Sequence, residues 1–541
     1  MSRKFGIRSR ILGLVVLLLG ITLGAFASEV SAHAGLTKAV PEADSQMEES
    51  PPRVELTFNE RIEEKLFTLK VIDEIGRSVT PNKPVINSTH TSLTLDLPQL
   101  HKGIYVVSYH VISADGHPVD GSYVITVGPP RGASSPDHAA HEAHELSWSM
   151  SPGEFFKMAS RFFYYAALLA MTGFVLWMTR FREGSREIRD RMRQWSLGLQ
   201  RVHLISLMLL IYTHYADLLG EDGGLQDLTG LFTGTTVGLS WLASLALSLL
   251  GFVLLHRKPW LNLLWVAALI GVKSVNGHAM AFEPQGVLVL LDAVHLAAAA
   301  LWAGGLVVTV AFWKQKGFLL LFLKRFSRAA LGSILLLALT GVLSTFLFLP
   351  KISYVLYSQW GILLLVKAGL VVMIAVTGAL IRSSLRKRGV NGAGVLLKVD
   401  LSLMAVILGV VALLTYLAPV PPNEPLAWHV MGTKQHMSAK ITPNIPGTNT
   451  FTVKVWLPEQ MGPPKQVILR MINNDDPSIA PIVVPVKPYD DKEIDTSFDM
   501  KRYSYKAEGP YLPFPGSWTV QVRVLDSQDD EIPYEKIMRV Y

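Results

Sequence analysis

Cysteine is absent from this chain of 541 residues. Disulfide bonds and thiolate metal sites are therefore excluded, and any metal ion must be held by histidine, methionine, carboxylate, amine or backbone groups. Charged residues are also scarce: they make up 17% of the sequence, whereas hydrophobic residues make up 50%. A soluble protein of this length would normally carry more charge, so the composition places part of the chain in a membrane.

The phosphate-binding Walker A pattern is missing as well, which excludes ATP hydrolysis by that motif. The formal net charge is +7, but the basic residues fall mostly in loops between apolar runs. This distribution indicates membrane topology rather than a nucleic-acid surface, and we expect no nucleic-acid partner. The length predicts more than one domain.

A secretory signal peptide is predicted over residues 1–32. A basic stretch (residues 1–10) precedes an apolar run (residues 11–26), and small residues at positions 30–32 suit signal peptidase. Cleavage after Ala32 would leave His33 as the first residue of the mature protein. The α-amine and imidazole of His33 could then chelate one metal ion once the amine is deprotonated. The alternative is that His33 only marks the cleavage point.

Residues 33–128 show period-two hydrophobic runs separated by proline, glycine and asparagine. The predicted strands cover residues 54–58, 67–72, 92–97, 104–109 and 122–127. Such runs predict an antiparallel β sandwich or barrel of about a hundred residues. Residues 129–150 read as a linker that contains His138, His141 and His144. Histidine tracts bind metals weakly, and a solvated linker with incidental histidines is the alternative.

Residues 151–420 contain eight apolar stretches long enough to cross a bilayer core, for which about 20 residues are needed. Their centres lie near Leu168, Leu209, Leu245, Leu269, Ala300, Leu336, Val371 and Leu408. Arginine and lysine concentrate in alternate loops, beginning with the loop after the first stretch. The positive-inside rule places these basic loops in the cytoplasm and both chain ends outside it. We therefore predict a polytopic helical domain in the plasma membrane.

Residues 421–541 become polar and strand-like again. The predicted strands cover residues 450–456, 466–471, 482–486, 518–524 and 537–541, which favours a second extracytoplasmic β sandwich of about 120 residues. His429, Met431, His436 and Met437 cluster in its sequence. Imidazole and thioether groups suit copper, but ordinary surface or core positions explain these residues equally well.

Ionisable residues inside membrane helices usually face a cavity, a partner or a substrate path. The topology predicts four such groups at one depth: His214, His278, Asp292 and His295. Asp292 and His295 are three residues apart and share one helix face. Met280 adds a soft ligand that suits cuprous ion.

Two other interpretations of these membrane residues remain open. The groups could simply hydrogen-bond between helices, or histidines on neighbouring helices could ligate haem, for which His203 is the inner candidate. Lys367 requires a carboxylate or carbonyl partner or a route to the interface. Gly304 and Gly305 predict a close helix crossing.

Three stretches carry a family resemblance. Residues 33–44, 54–58 and 113–121 resemble the CopC family of copper-binding β sandwiches. Asp292-Ala-Val-His295, followed by residues 301–305, is similar to the CopD family, and residues 505–518 are similar to YtkA-like domains. Together they resemble the CopC–CopD fusion family, which is implicated in copper uptake.

The CopC resemblance implies a Cu(II) site formed by His33, Asp115 and His117. In that family the mature N-terminal histidine and an Asp-x-His motif hold the metal. A set of amine, imidazoles and carboxylate also suits the tetragonal preference of cupric ion. The methionine-rich Cu(I) loop of the family is not evident, because Met47 is the lone methionine of residues 33–128. We expect a single cupric site there.

The resulting prediction is a non-enzymatic protein that captures Cu(II) outside the cell and passes it to the helical domain, where Cu(I) is a further candidate. Its expected partners are copper ions, the lipid bilayer and other extracytoplasmic copper-binding proteins or a reductase. Three alternatives remain: copper resistance, efflux or sensing by a protein anchored through its helices; a haem-binding membrane redox protein; and a copper enzyme that cleaves polysaccharides oxidatively.

Overall fold

The computed structural model describes residues 35–128 apart from 44 and 74, 152–180, 185–219, 224–349, 352–417 apart from 357, residue 419, and 423–541 apart from 433, 434, 477 and 492–499. The predicted signal peptide, His33, and the linker residues His138, His141 and His144 lie outside the described residues. The chain divides into two compact units. One contains the helices together with Ile112–Pro118, and the other contains the rest of the two β regions.

The N-terminal β region forms two four-stranded sheets, in the orders β1-β3-β6-β5 and β2-β8-β7-β4. The strands are β1 Leu36–Val40, β2 Ser45–Met47, β3 Arg53–Phe58, β4 Thr68–Ile72, β5 Val85–Ile86, β6 Ser92–Asp96, β7 Gly103–Ile112 and β8 Pro118–Val127. Alternate residues are buried; in β3, for example, Val54 and Leu56 have no exposed surface. This period-two burial confirms the predicted sandwich.

Two details of this sandwich differ from the expectation. β2 pairs with β8 in parallel, so the sheets are not wholly antiparallel. β1, β2 and β5 were not predicted from the sequence. β2 and β5 span only three and two residues, which is too few for a visible period-two pattern. β1 lies within residues 33–44, whose sequence was interpreted as part of a metal-binding motif.

The central region is helical. Its helices are α1 Pro152–Arg180, α2 Arg186–Leu219, α3 Leu225–Gly234, α4 Thr236–Leu254, α5 Pro259–Ser274, α6 Gln285–Ala311, α7 Lys316–Phe348 and α8 Gln359–Leu414, with single 3-10 turns at His278–Met280 and Ile352–Leu356. Part of the predicted basic loop after the first stretch is helical, because α2 begins at Arg186.

Seven helical segments of the described chain are long and apolar enough to cross a membrane, and two of these segments belong to α8. Eight spans had been predicted. The stretch centred near Leu269 forms α5, which has 16 residues and is about 24 Å long, shorter than the roughly 30 Å hydrocarbon core. The last two predicted spans are joined as α8 through a kink at Gly389, whose φ is 63°. Glycine accepts this left-handed conformation without steric cost.

The predicted close crossing involves Gly304 of α6 and Gly173 of α1. A Cβ atom on Gly304 would lie 2.2 Å from the carbonyl carbon of Gly173, and a Cβ atom on Gly173 would lie 1.7 Å from the carbonyl oxygen of Ala300. Trp177 reaches across the same crossing and donates from Nε1 to the carbonyl oxygen of Leu301, 2.8 Å away. Small residues thus allow the two backbones to touch, as predicted.

The C-terminal region contains a five-stranded sheet, in the order β14-β15-β11-β10-β9, and a four-stranded sheet, in the order β13-β12-β16-β17. The strands are β9 Leu426–Met431, β10 His436–Thr442, β11 Gly447–Pro458, β12 Gln466–Asn473, β13 Ile482–Val484, β14 Lys487–Pro488, β15 Met500–Leu512, β16 Gly516–Leu525 and β17 Glu531–Val540. Trp518, Phe451 and Met437 are fully buried in one core cluster. β9, β10, β14 and β15 were not among the predicted strands.

Candidate metal-handling site

The turn between β7 and β8 holds two of the predicted metal ligands. The backbone N–H of Ser113 donates to the carbonyl oxygen of His117 at 2.8 Å, and that of Gly116 donates to the carbonyl oxygen of Ser113 at 2.9 Å. The hydroxyl of Ser113 also donates to the Asp115 carboxylate. These bonds fix a tight turn in which Asp115 and His117 are 4% and 9% exposed.

Gly116 allows this turn to pack tightly. Its φ is 88°, and a Cβ atom there would lie 2.5 Å from Cγ2 of Val237 and 3.6 Å from Oδ1 of Asn276. Asn276 is held by a 2.8 Å hydrogen bond from its Nδ2 to the hydroxyl of Ser240. Glycine is therefore required both by the backbone conformation and by the neighbouring side chains.

The Asp115 carboxylate contacts His278, which begins the 3-10 turn His278–Met280. Oδ2 of Asp115 lies 3.1 Å from Nδ1 of His278, and Nε2 of His278 lies 3.3 Å from the carbonyl oxygen of Leu414. Both contacts are shielded from solvent, since the side-chain atoms alone are 1% exposed in Asp115 and 13% exposed in His278. Water therefore screens this contact weakly.

His117 completes what we call the turn cluster: Asp115, His117 and His278. The imidazole rings of His117 and His278 are stacked with their centroids 6.5 Å apart. The ring of Tyr416 meets His117 edge-on at 6.1 Å. Burial raises the pKa of Tyr416, so Tyr416 is a neutral phenol at neutral pH.

Charge around the turn cluster is of both signs. Arg161 of α1 interacts electrostatically with Asp115. Its guanidinium carbon lies 5.3 Å from the centroid of the Tyr416 ring, and the guanidinium group donates a hydrogen bond to the carbonyl oxygen of Thr415. Arg161, Tyr416 and the Leu414 carbonyl were not predicted as parts of the site. The only signal for Arg161 was its charge within a mainly apolar helix, which also carries Lys157 and Arg180; the other two had none.

The turn cluster brings together one carboxylate and two imidazoles, but it is not a preformed metal cage. Within the described ranges, no group of three or more histidine, aspartate or glutamate side chains is arranged to hold a metal ion. His33, which the CopC resemblance adds to Asp115 and His117, lies outside those ranges. The ligand set predicted from the sequence therefore stays a prediction.

Asp292 and His295 lie together in α6, as predicted from their spacing. Nδ1 of His295 is 2.8 Å from the hydroxyl oxygen of Thr340, and that hydroxyl donates to the carbonyl oxygen of Leu336. Thr340 has one proton to give, so His295 must donate from Nδ1, and its lone pair then resides on Nε2. Asp292 lies close enough to Lys367 for the two side chains to interact electrostatically.

The other predicted membrane ligands have different surroundings. Met280 lies two residues after His278, and its carbonyl oxygen accepts a 2.8 Å hydrogen bond from Nε2 of Gln285. Nε2 of His214 accepts a 2.9 Å hydrogen bond from Nε of Arg161. This bond occupies the lone pair of His214 that a metal would need.

His203, the inner candidate for haem ligation, is fully buried. Its Nδ1 lies 3.1 Å from the hydroxyl of Ser248, and its ring lies against Tyr164 at 6.0 Å between centroids.

The C-terminal candidates divide between two faces of one hairpin. His429 and Met431 lie on β9 and His436 on β10, all on the outer face, where the rings of the two histidines are 6.4 Å apart. Met437 points into the core and has no exposed surface.

An N-terminal β sandwich, a helical region with seven candidate spans and C-terminal β sheets define a multidomain, multi-pass membrane protein. Residues 36–128 match the CopC domain family, and residues 320–414 match the family described as Copper resistance protein D. The chain thus joins a CopC domain and a CopD domain in one polypeptide, which confirms the resemblance seen in the sequence.

Two curated proteins and one solved structure illustrate what this chain is similar to. The copper transport protein CutJ of Bacillus subtilis (strain 168) is 29% identical over 456 residues, which cover 78% of this chain and 82% of CutJ. Copper resistance protein C of Escherichia coli is 28% identical over 125 residues, which cover 22% of this chain and 98% of that protein. The crystal structure of CopC from Methylosinus trichosporium OB3b shares 34% identity, covers 19% of this chain and 100% of that chain, and gives a TM-score of 0.17.

The chain is therefore homologous to CutJ. The YtkA-like assignment of the C-terminal region stays a prediction.

Proposed function

We propose that this protein takes up copper: His33, Asp115 and His117 capture Cu(II) outside the cell, and His278 receives the metal for passage inward. The observation that carries the proposal is the 3.1 Å contact between Asp115 and His278. Copper is the transported ion in this mechanism, and no step requires it to remain bound to the protein.

The chemistry of the capture residues favours cupric ion. Two imidazoles, a terminal amine and a carboxylate supply nitrogen and oxygen ligands, and such sets suit the tetragonal geometry of Cu(II). Ser113 orients the Asp115 carboxylate through its hydroxyl, in the manner of outer-shell groups that orient metal ligands. The turn thus aligns Asp115 before the metal arrives.

Transfer follows from the packing of the turn cluster. Asp115 already contacts His278, and the His117 ring is stacked on the same imidazole. A copper ion held by Asp115 and His117 can therefore gain His278 as a ligand before it leaves the other two. Exchange of one ligand at a time avoids exposing a bare ion, whose desolvation is costly.

The inward path that we propose continues through Met280, Asp292 and His295. Thr340 leaves the Nε2 lone pair of His295 for a metal, and the thioether of Met280 suits cuprous ion. The path omits His214, because Arg161 donates a hydrogen bond to its Nε2 and so occupies that lone pair.

The basic loops, which the positive-inside rule assigns to the cytoplasm, put the capture residues outside the cell. Homology to a protein named for copper transport supports movement of the metal, and the resemblance to the CopC–CopD fusion family favours the inward direction. The names of other relatives refer to copper resistance, which makes efflux the second candidate. Cells that overproduce this protein should accumulate copper under uptake and lose it under efflux.

The capture step is tested by Cu(II) titration of the purified full-length protein in detergent, followed by electron paramagnetic resonance. One preparation carries the authentic His33 terminus and a second carries one extra residue ahead of it. We expect one tetragonal, nitrogen-rich signal that the extra residue disrupts, while His101→Ala, a change at an exposed histidine, leaves it intact. A signal indifferent to the added residue would remove His33 from the capture site.

A further inference from the structure

The β9–β10 hairpin carries two histidines, a methionine and a tryptophan neighbour that the capture mechanism does not use. The hairpin is closed by a 3.1 Å hydrogen bond from the backbone N–H of Gly432 to the carbonyl oxygen of Gln435. Next to that bond, Met431 is paired with His436. Because hydrogen-bonded and non-hydrogen-bonded pairs alternate in an antiparallel ladder, Met431 and His436 form a non-hydrogen-bonded pair, the kind whose side chains lie closer together.

The outer face of this hairpin collects the remaining side chains. His429 lies two residues before Met431 on the same face, and its ring centroid is 6.4 Å from that of His436. On the next strand, Trp456 is paired with His436, and its ring lies 5.9 Å from the ring of His429. Met431 is 72% exposed, so its thioether is accessible from outside the domain.

We propose that His429, Met431 and His436 form a second metal site that is selective for soft monovalent cations, namely Cu(I) and its analogue Ag(I). A thioether and imidazoles are ligands that Cu(I) accepts, and the ring of Trp456 lies at nearly a right angle to that of His429, 5.9 Å away, which encloses one side of the site.

The surroundings disfavour hard divalent ions at the same place. The outward-facing neighbours on β10 are Ser438 and Lys440, and Lys454 precedes Trp456 on the outward face of β11. Hard cations require oxygen ligands such as carboxylates. The carboxylates beside this face are already engaged, because Glu42 lies 2.6 Å from Lys440 and Asp491 lies 3.0 Å from Lys454. The site therefore differs in metal preference from the capture site, on which it does not depend.

X-ray absorption at the copper edge tests the inference on the full-length protein in detergent. One equivalent of Cu(I) is supplied without oxygen, in the presence of a competing Cu(I) chelator. Because the chain has no cysteine, any sulfur in the copper shell must come from methionine. We expect a sulfur shell that disappears in Met431→Leu. His429→Ala and His436→Ala should each weaken Cu(I) affinity by at least the roughly 10–100-fold that loss of an outer-shell partner costs.

Met280→Leu serves as the background for this experiment, so that the methionine of the proposed membrane path cannot supply sulfur. In that background Met437→Leu, which changes the adjacent methionine that faces the core, should keep the sulfur shell. The inference is wrong if the Met280→Leu protein shows no sulfur shell, if the shell survives the further change Met431→Leu, or if Met437→Leu removes it. Asp115→Asn, which is aimed at capture, should leave the Cu(I) site unchanged, so the two proposals can fail separately.

Discussion

The carboxylate of Asp115 lies 3.1 Å from Nδ1 of His278, although 163 positions separate the two residues in sequence. Asp115 belongs to the turn that the CopC resemblance marks as metal-binding, and His278 precedes α6 in the helical region. This contact joins the two parts of the proposed mechanism, and four predictions follow from it and from its surroundings.

Replacing Asp115 with asparagine keeps the size of the side chain and removes its charge. Because an anionic ligand holds Cu(II) more strongly than an amide, we expect Cu(II) affinity to fall by roughly 10–100-fold or more. Competition titration with a Cu(II) chelator measures the change. Asp120→Asn removes the same charge from the same hairpin, where the carboxylate bonds His110 instead, and it should leave the affinity near the wild-type value. Equal losses in both variants would assign the effect to general electrostatics.

Replacing His278 with alanine should separate capture from transfer. The variant lacks the receiving imidazole but keeps the predicted capture ligands, so the Cu(II) resonance signal should persist while cellular copper accumulation drops. Metal analysis of cells that produce each variant measures the drop, with His101→Ala as the exposed-histidine control. Wild-type accumulation in His278→Ala would exclude this histidine from the path.

Thr340→Val tests whether the orientation of His295 matters. Valine has nearly the shape of threonine but cannot accept the hydrogen bond from Nδ1 of His295. We expect copper accumulation to decrease by roughly tenfold, as for the loss of other outer-shell partners. Thr345→Val is the control on the same helix: it removes a hydroxyl that donates to the carbonyl oxygen of Gly341, and it should leave copper accumulation unchanged. If Thr340→Val is equally silent, His295 has no need of this partner.

Gly116→Ala should destabilise the turn and weaken Cu(II) binding together. A side chain at positive φ costs about 1–2 kcal/mol, and the new Cβ atom would also displace Val237, adding roughly 1–3 kcal/mol of overpacking. Gly76→Ala is the matched control, because Gly76 has a φ of 78° with no atom within 4 Å of the added Cβ. Thermal unfolding and Cu(II) titration should show a larger loss at Gly116. Equal losses would mean that the turn can move away from Val237.

Local periodicity determined much of the architecture from the sequence alone. Period-two hydrophobic patterns indicated strands in both β regions, although they missed the 13-residue strand β15, and apolar runs located the helices, since both signals arise from residues close in the chain. The shared face of Asp292 and His295 was predictable for the same reason. The number of spans was not, because α5 is too short to cross a bilayer by its length alone.

Tertiary structure alone decided which side chains meet. No local pattern could place Asp115 against His278, or direct Arg161 to His214 across 53 positions, because such contacts depend on how separate elements pack. Strand pairing likewise turned Met437 into the core and left Met431 beside His436, since a shift of one residue in register exchanges the two faces of a strand. The sequence thus determined the ligand types and the elements that carry them, and long-range packing determined which of those ligands can act together.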